Sequence, residues 1–350
     1  GMRDFHLPGR STVRSLNGMA ATSHPAASLT AIDVLRAGGN AVDAAIAAAA
    51  VLGVVEPHST GIGGDCFALY APKGSTEIIA VNGSGRAPDA AAGQWYLDNG
   101  FDGIPLYSPH SVTIPGAIDA WSRLLTDHGT KEFAELLQPA IDYAEQGYVV
   151  HGRIAQAWSA NAEKLLRDPT AARVFLPEGR ALAEGEVHRQ VMLADTMKTI
   201  AREGRDGFYT GTVAKDMVTY LNSLGALHTL EDFESHETEY VTPIKGSYRG
   251  FDIYQVPPNN PGITALLMLH IIEGFDLASL DPLSVERFHL EAEVARLAYN
   301  VRETDVGDPA FADVPVDMIL SQDFAAELRS QINPRQAMEL QSIRPPTAPD

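Results

Sequence analysis

The spacing of apolar and polar positions changes repeatedly along the chain, and each change predicts an element. SLTAIDVLRA repeats apolar side chains at helical spacing and runs into Gly38-Gly39-Asn40, which predicts a helix over 28–37 closed by a glycine C-cap. The next run, AVDAAIAAAAVLGVV, is apolar on nearly every side, so a second helix over 41–54 should be buried on most faces. Its alanines let a neighbouring backbone approach closely, and Pro57 prevents continuation. CFALYAP and TEIIAVNGSG, joined by Lys73-Gly74-Ser75, predict a hairpin. Helical periods recur at 116–128, 131–147, 151–166, 190–203 and 211–223. IKGSYRGFDIYQVP then alternates about Arg249-Gly250 like a strand pair, and helices over 262–273 and 284–302 follow.

With 350 residues and 45% hydrophobic content the chain can bury a large core. No repeat, low-complexity tract or Gly/Ser linker divides it. A single domain is expected, with an arm over 1–27, a core over 28–340 and an extended tail over 341–350. The formal net charge of −19, without any compensating basic run, argues against nucleic acid or an anionic membrane as partner. A small-molecule or peptide substrate fits better. Cys66 is the only cysteine, which excludes an internal disulfide framework and a multi-cysteine zinc site. The longest apolar run carries Asp43 and is too short and alanine-rich for a membrane span. The opening GMRDFHLPGRSTVRS lacks the apolar core of a secretory signal, so a cytoplasmic location is expected, or a periplasmic one had an upstream signal been removed.

The densest cluster of chemical side chains is VEPHSTGIGGDCFALY, residues 55–70. Its glycines lack the G-x-G-x-x-G and Gly-Lys-Ser/Thr spacings and precede a strand, so a turn needing positive φ is expected, not a phosphate loop. His58, Asp65 and Cys66 suggest a cysteine hydrolase, but Cys66 borders the apolar FALY and reads as a small core residue of a strand. The nearby carboxylate also disfavours its thiolate. No Gly-x-Ser-x-Gly elbow is present. His289 and Glu293 stand one helical turn apart, a spacing that suits a metal but also ordinary pairing along a helix face. No complete catalytic set emerges. An enzyme-sized core without its nucleophile suggests that part of the machinery lies elsewhere.

The chain resembles the γ-glutamyltranspeptidase family, in its larger N-terminal chain. The likeness runs from MAATSHPAASLTAIDVLRAGGNAVDAAIAAAAVLGVVEPHSTGIGGDCFALY through VTIPGAIDAW, LLQPAIDYAEQGYVV and DGFYTGTVAKDMV. It continues in YVTPIKGSYRGFDIYQVPP, EAEVARLAYNVRETDVGDP and the terminal SIRPPTAPD. The resemblance implies an α+β fold, the αββα sandwich of N-terminal-nucleophile hydrolases, completed by a second, small chain. It also implies a precursor that cleaves itself, leaving Asp350 as the processing boundary and the extended 345–349 segment as the former scissile strand. The nucleophile would be a threonine immediately after Asp350, with no catalytic residue in this chain, and the threonine's own amine can act as its base. Neither a metal nor an organic cofactor is implied.

In the family the large chain supplies an arginine that grips the substrate's α-carboxylate, shortly before an Ala-Pro pair. A guanidinium suits that task because its planar fork matches two carboxylate oxygens. Here the loop reads VNGSGRAPDAA, and aligning Ala87-Pro88 places Ser84 at the arginine's position, with Arg86 two residues later. Ser84 and Arg86 are the expected substrate contacts, with a surface ion pair as the competing reading of Arg86. A second departure is PPNNPGI, where the family more usually has a serine and glycine-rich stretch; Asn259, Asn260 and Pro261 should stiffen that loop. The expected activity is γ-glutamyl transfer or hydrolysis on glutathione or a related γ-glutamyl amide, with the small chain as partner. The alternatives are an amidase or acylase of the same fold, such as one acting on β-lactam side chains, and a catalytically silent binding relative.

Overall fold

Two adjacent helices form where the hydrophobic pattern is almost continuous because Gly38 and Asn40 interrupt it. The computed structural model describes residues 12–339. In it α1 (Pro25–Arg36) ends at Ala37, Gly38 turns back at φ +86°, and α2 (Ala41–Val55) begins at Asn40. The Asn40 side chain accepts from Val42 N and Asp43 N, while Asp43 Oδ2 accepts from Asn40 N at 2.7 Å, a reciprocal capping box. The first helix starts three residues earlier than the pattern predicts. Pro25 has no N–H to satisfy at a first-turn position, and His24 accepts from Ala26 N through Nδ1.

Along the chain follow β1 (Cys66–Tyr70), β2 (Ile79–Gly83), α3 (Gly93–Asp98), α4 (Ala117–His128), α5 (Phe133–Gln146) and β3 (Tyr148–Val149). The helix predicted over 151–166 breaks at Asn161 into α6 (Gly152–Ala160) and α7 (Ala162–Leu165). Asn161 leaves helical geometry and turns its side-chain amide back onto Ala157 O. Next come α8 (Pro169–Phe175), β4 (Val187–His188), α9 (Val191–Glu203), α10 (Asp206–Tyr209), α11 (Thr212–Ser223) and α12 (Leu230–Glu234). The remaining elements are β5 (Glu239–Val241), β6 (Ile244–Tyr248), β7 (Phe251–Gln255), α13 (Gly262–Ile272), α14 (Val285–Asp305), α15 (Val316–Ile319) and α16 (Gln322–Ser330).

Although no linker marks it, the backbone gathers into two compact units. Among the described residues one comprises 12–65 and Ser84–Glu237; the other comprises Cys66–Gly83 and 238–339.

The first unit is helical and centres on α2, which packs against α1, α4 and α5. Most of α2 is buried, as its all-round apolar pattern requires. A neighbouring backbone approaches this helix closely at its glycine: a Cβ built on Gly53 would stand 3.4 Å from the Cα of Gly61. Asp43, the one charge in this helix, is fully buried. Besides capping α2 it accepts from Thr130 N at 2.9 Å, Thr130 Oγ1 at 2.6 Å and Lys131 N at 3.2 Å. Burial pushes its carboxyl up, but these hydrogen bonds outweigh that and hold it below the ordinary value.

The second unit carries the antiparallel sheet β1-β2-β5, in which Cys66 faces Gly83 and Asn82 faces Glu239. β6 and β7 pair about Arg249 and Gly250, both at positive φ, as a tight two-residue hairpin demands. α13 packs on α14, burying Ile263, Leu267, Leu290 and Val294 in one core. Arg329 closes the C-terminus of α13 by donating to Ile271 O at 2.7 Å and His270 O at 2.6 Å. Among the described residues the strands form this three-stranded sheet and two two-stranded ribbons, β3-β4 and β6-β7. Among the described residues no helix is long and apolar enough to cross a membrane.

Candidate active site

Two loops that look unrelated in sequence meet in the first unit. The glycine turn 61–65 is tied down by its backbone: Gly64 O accepts from Gly116 N at 3.0 Å and Ala117 N at 2.9 Å, at the start of α4. Asp65 then reaches the loop after β2, where its Oδ1 accepts from Gly85 N at 2.9 Å. One residue on, Arg86 O accepts from Ile114 N at 2.9 Å. A Cβ on Gly85 would lie 1.5 Å from Ile114 O, so only glycine allows this approach. Further along, Pro88 is buried and Asp89 N donates to Asp232 Oδ1 at 2.9 Å. Burial pushes the Asp232 carboxyl up, but the hydrogen bonds from Asp89 and Thr229, with His228 nearby, hold it below its usual range. Ser84, half-buried, and Arg86, exposed, are therefore presented on one loop held at several backbone points.

Behind this loop lies a polar layer that the sequence does not announce. Tyr209 Oη donates to Pro115 O at 2.6 Å and accepts from Asp119 N at 3.1 Å, bracketing the N-terminus of α4. Arg205 pairs with the Asp119 carboxylate, donates to Glu234 O at 3.2 Å and to His236 O, and lies 4.6 Å from the Tyr209 ring centroid. The His236 imidazole stacks on that ring, 5.7 Å between centroids and 20° between planes. It is 4% exposed, and neither ring nitrogen makes a hydrogen bond among the described residues. Burial pushes its pKa down; Arg205 and Arg86 act the same way, while Asp119 and Asp65 oppose them. Burial pushes the Tyr209 phenol up, so its proton is retained.

The residues singled out from the sequence are distributed unevenly over this arrangement. The glycine turn exists, but none of Gly61, Gly63 or Gly64 has positive φ, contrary to expectation, and a Cβ on Gly61 or Gly63 would meet nothing within 4 Å. His58 is exposed and lines a cleft with Pro57, Trp158 and Phe175, while Asp65 serves Gly85. Cys66 opens β1, as expected for a strand residue, but is half-buried rather than core. His289 Nε2 contacts Asn333 O at 2.8 Å, whereas Glu293 is buried against Arg296 and accepts from Met338 N. The two side chains thus go to different partners, and only Glu293 pairs along its own helix, with Arg296. Among the described residues no three His, Cys, Asp or Glu side chains converge as a metal site.

In PPNNPGI, Asn82 Nδ2 donates to Asn259 Oδ1 at 2.9 Å, and Gly262 N donates to Asn260 Oδ1 at 2.8 Å. Asp350 and the 341–350 tail lie outside the described residues. Asp119, Arg205, Tyr209 and His236 escaped the sequence reading. VTIPGAIDAW and DGFYTG hint at two of them, but the contacts join positions roughly ninety residues apart.

The gamma-glutamyltranspeptidase family model matches residues 27–348. The chain is 37% identical over 315 residues to a glutathione hydrolase-like YwrD proenzyme of Bacillus subtilis, covering 90% of this chain and 60% of that protein. Among solved structures, Helicobacter pylori gamma-glutamyltranspeptidase superposes with a TM-score of 0.86 at 31% identity, covering 96% of this chain and 97% of that one. Cephalosporin acylase from Bacillus halodurans gives the same TM-score of 0.86 at 37% identity, over 95% of this chain and 63% of that one.

Proposed function

The chain belongs to the gamma-glutamyltranspeptidase family and has its N-terminal-nucleophile hydrolase fold, and from this premise we propose that it is the large-chain part of an autoprocessed enzyme acting on γ-glutamyl amides such as glutathione. It spans 60% of the length of the glutathione hydrolase-like relative, whose name marks it as a proenzyme. In this reading a small chain completes the enzyme. Its N-terminal threonine hydroxyl attacks the γ-amide carbonyl, and the displaced amine leaves with the proton the hydroxyl gives up. The resulting acyl ester passes to water or to an amino acid, giving hydrolysis or transfer. Donors on the small chain stabilise the tetrahedral oxyanions.

This chain's contribution is substrate positioning by the loop 84–88. The observation that supports the reading is the anchoring of residues 85, 86 and 89 by Asp65, Ile114 and Asp232, in the stretch to which the sequence resemblance assigns the substrate carboxylate. A loop fixed at its backbone can present Arg86 without paying the ordering cost at each binding event.

A second reading, acylase action on a different acyl group, draws support from one specific feature. Ser84 occupies the aligned arginine position, and Arg86, two residues on, is exposed. The likeness to a cephalosporin acylase points the same way. Kinetics of the full-length protein on γ-glutamyl-p-nitroanilide beside glutaryl-p-nitroanilide separate the two. Turnover of the first is expected; turnover of the second alone transfers the assignment to the acylase reading. Intact-mass measurement tests processing, and an uncleaved, inactive product would leave only a binding role.

A further inference from the structure

His236 is an unusual residue to find behind a substrate loop: a titratable ring, nearly fully buried, with neither nitrogen hydrogen-bonded among the described residues. Three contacts relate it to Arg86. Arg86 O accepts from Ile114 N, the adjoining Pro115 O accepts from Tyr209 Oη, and the Tyr209 ring carries the stacked imidazole. The charged groups that act on this ring are Asp119 on α4, Arg205 at the start of α10, and Arg86 and Asp65 on the two loops. Asp206 also approaches Arg205, at 3.6 Å, with its carboxylate largely in solvent.

Two guanidinium groups and two carboxylates act on the neutral imidazole. A substrate carboxylate arriving at Arg86 adds one negative charge to this neighbourhood. Tyr209 is already protonated, and arginine cannot take up another proton. His236 can. We propose that binding of a carboxylate at Arg86 is linked to uptake of a proton by His236, so that the imidazolium offsets the incoming negative charge. This rests on the placement of the substrate carboxylate at Arg86. Linkage is reciprocal: if the bound anion favours the imidazolium, the imidazolium favours the bound anion, and capture tightens as pH falls. His236 is a positioning residue in this scheme, since it acts through Arg86 and Tyr209.

Isothermal titration of the full-length protein with glutarate, in buffers of low and high ionisation enthalpy, reads the protons taken up per ligand bound. Uptake of a fraction of a proton is expected near neutrality, with affinity rising about fivefold or more between about pH 7.5 and about pH 5.5. His236→Gln should bind glutarate without proton uptake and with a flat pH profile; Arg86→Gln should lose binding. Glutarate binding without uptake in the native protein, uptake retained in His236→Gln, or no binding of glutarate or glutamate at all, overturns the proposal. Should His236→Gln not fold, the ring C2–H resonance of His236 in the native protein serves instead. Glutarate must raise its titration midpoint, and an unmoved midpoint overturns the proposal equally. Turnover of γ-glutamyl-p-nitroanilide is read separately. A protein that takes up protons with glutarate but cleaves no γ-glutamyl amide keeps this linkage and loses the proposed substrate.

Discussion

Gly85 donates its backbone N–H to Asp65 Oδ1 at 2.9 Å, joining the glycine turn before β1 to the loop that presents Ser84 and Arg86. Asp65 is exposed, so this charge-assisted bond falls at the low end of its class, about 1.5 kcal/mol. Asp65→Ala should therefore lower kcat/KM about tenfold on the preferred substrate. Asp65→Asn keeps an acceptor oxygen and should lose less. Equal losses in the two variants would show that the carboxylate's charge, rather than its hydrogen bond, is what counts.

Gly85→Ala is a steric test of the same loop. The new methyl would stand 1.5 Å from Ile114 O, a distance only backbone movement can relieve. The cost should match or exceed the ~1–3 kcal/mol typical of overpacking. Thermal unfolding checks the stability loss, and kinetics should deteriorate together with it. A fully stable, fully active variant would contradict the packing described for this loop.

Asp43 is one of the buried carboxylates that contribute to acid stability in the first unit. Its folded carboxyl lies below the ordinary value of 3.8 because Thr130, Asn40 and Lys131 donate to the charged form. A depressed folded pKa contributes stability that is fully present above the unfolded value and is lost as pH falls through the folded one. The native protein should therefore lose stability below about pH 4. Asp43→Asn should cost about 2–3 kcal/mol near neutrality, the scale for bonds to a buried charged acceptor, and should flatten that acid limb. Denaturant midpoints measured from about pH 3 to about pH 7 provide the check.

Arg86→Ala should weaken capture of a carboxylate-bearing substrate. Truncating one partner of a buried charge pair costs roughly 2–5 kcal/mol, and the exposure of Arg86 places the effect near the lower figure. Arg86→Lys keeps the charge and loses the planar fork, so it should recover only part of the loss. An unchanged kcat/KM in Arg86→Ala would remove this residue from the site and return it to a surface ion pair.

Much of the architecture was legible in local pattern. The boundary between α1 and α2, the buried character of α2, the β1–β2 and β6–β7 hairpins and the α13 and α14 helices all follow from side chains a few positions apart. Such signals survive in sequence because capping, helical periodicity and tight turns are satisfied within one or two turns of chain. The family signature was legible for the same reason, as short ordered motifs.

What tertiary structure decided is everything that depends on distant backbone. Pattern alone made His58, Asp65 and Cys66 a triad of interest. In the fold Asp65 holds Gly85, His58 lines a separate cleft and Cys66 opens a strand. Gly85 reads as one glycine among many until Ile114 O is seen where its Cβ would be. Strand β5 joins β2 across more than 150 residues, and His236 acquires its charged surroundings from segments far apart in the chain. A residue's type and neighbours specify what it can donate, accept or bury. Which partner it meets is set by the packing of whole elements, and no local pattern encodes that distance.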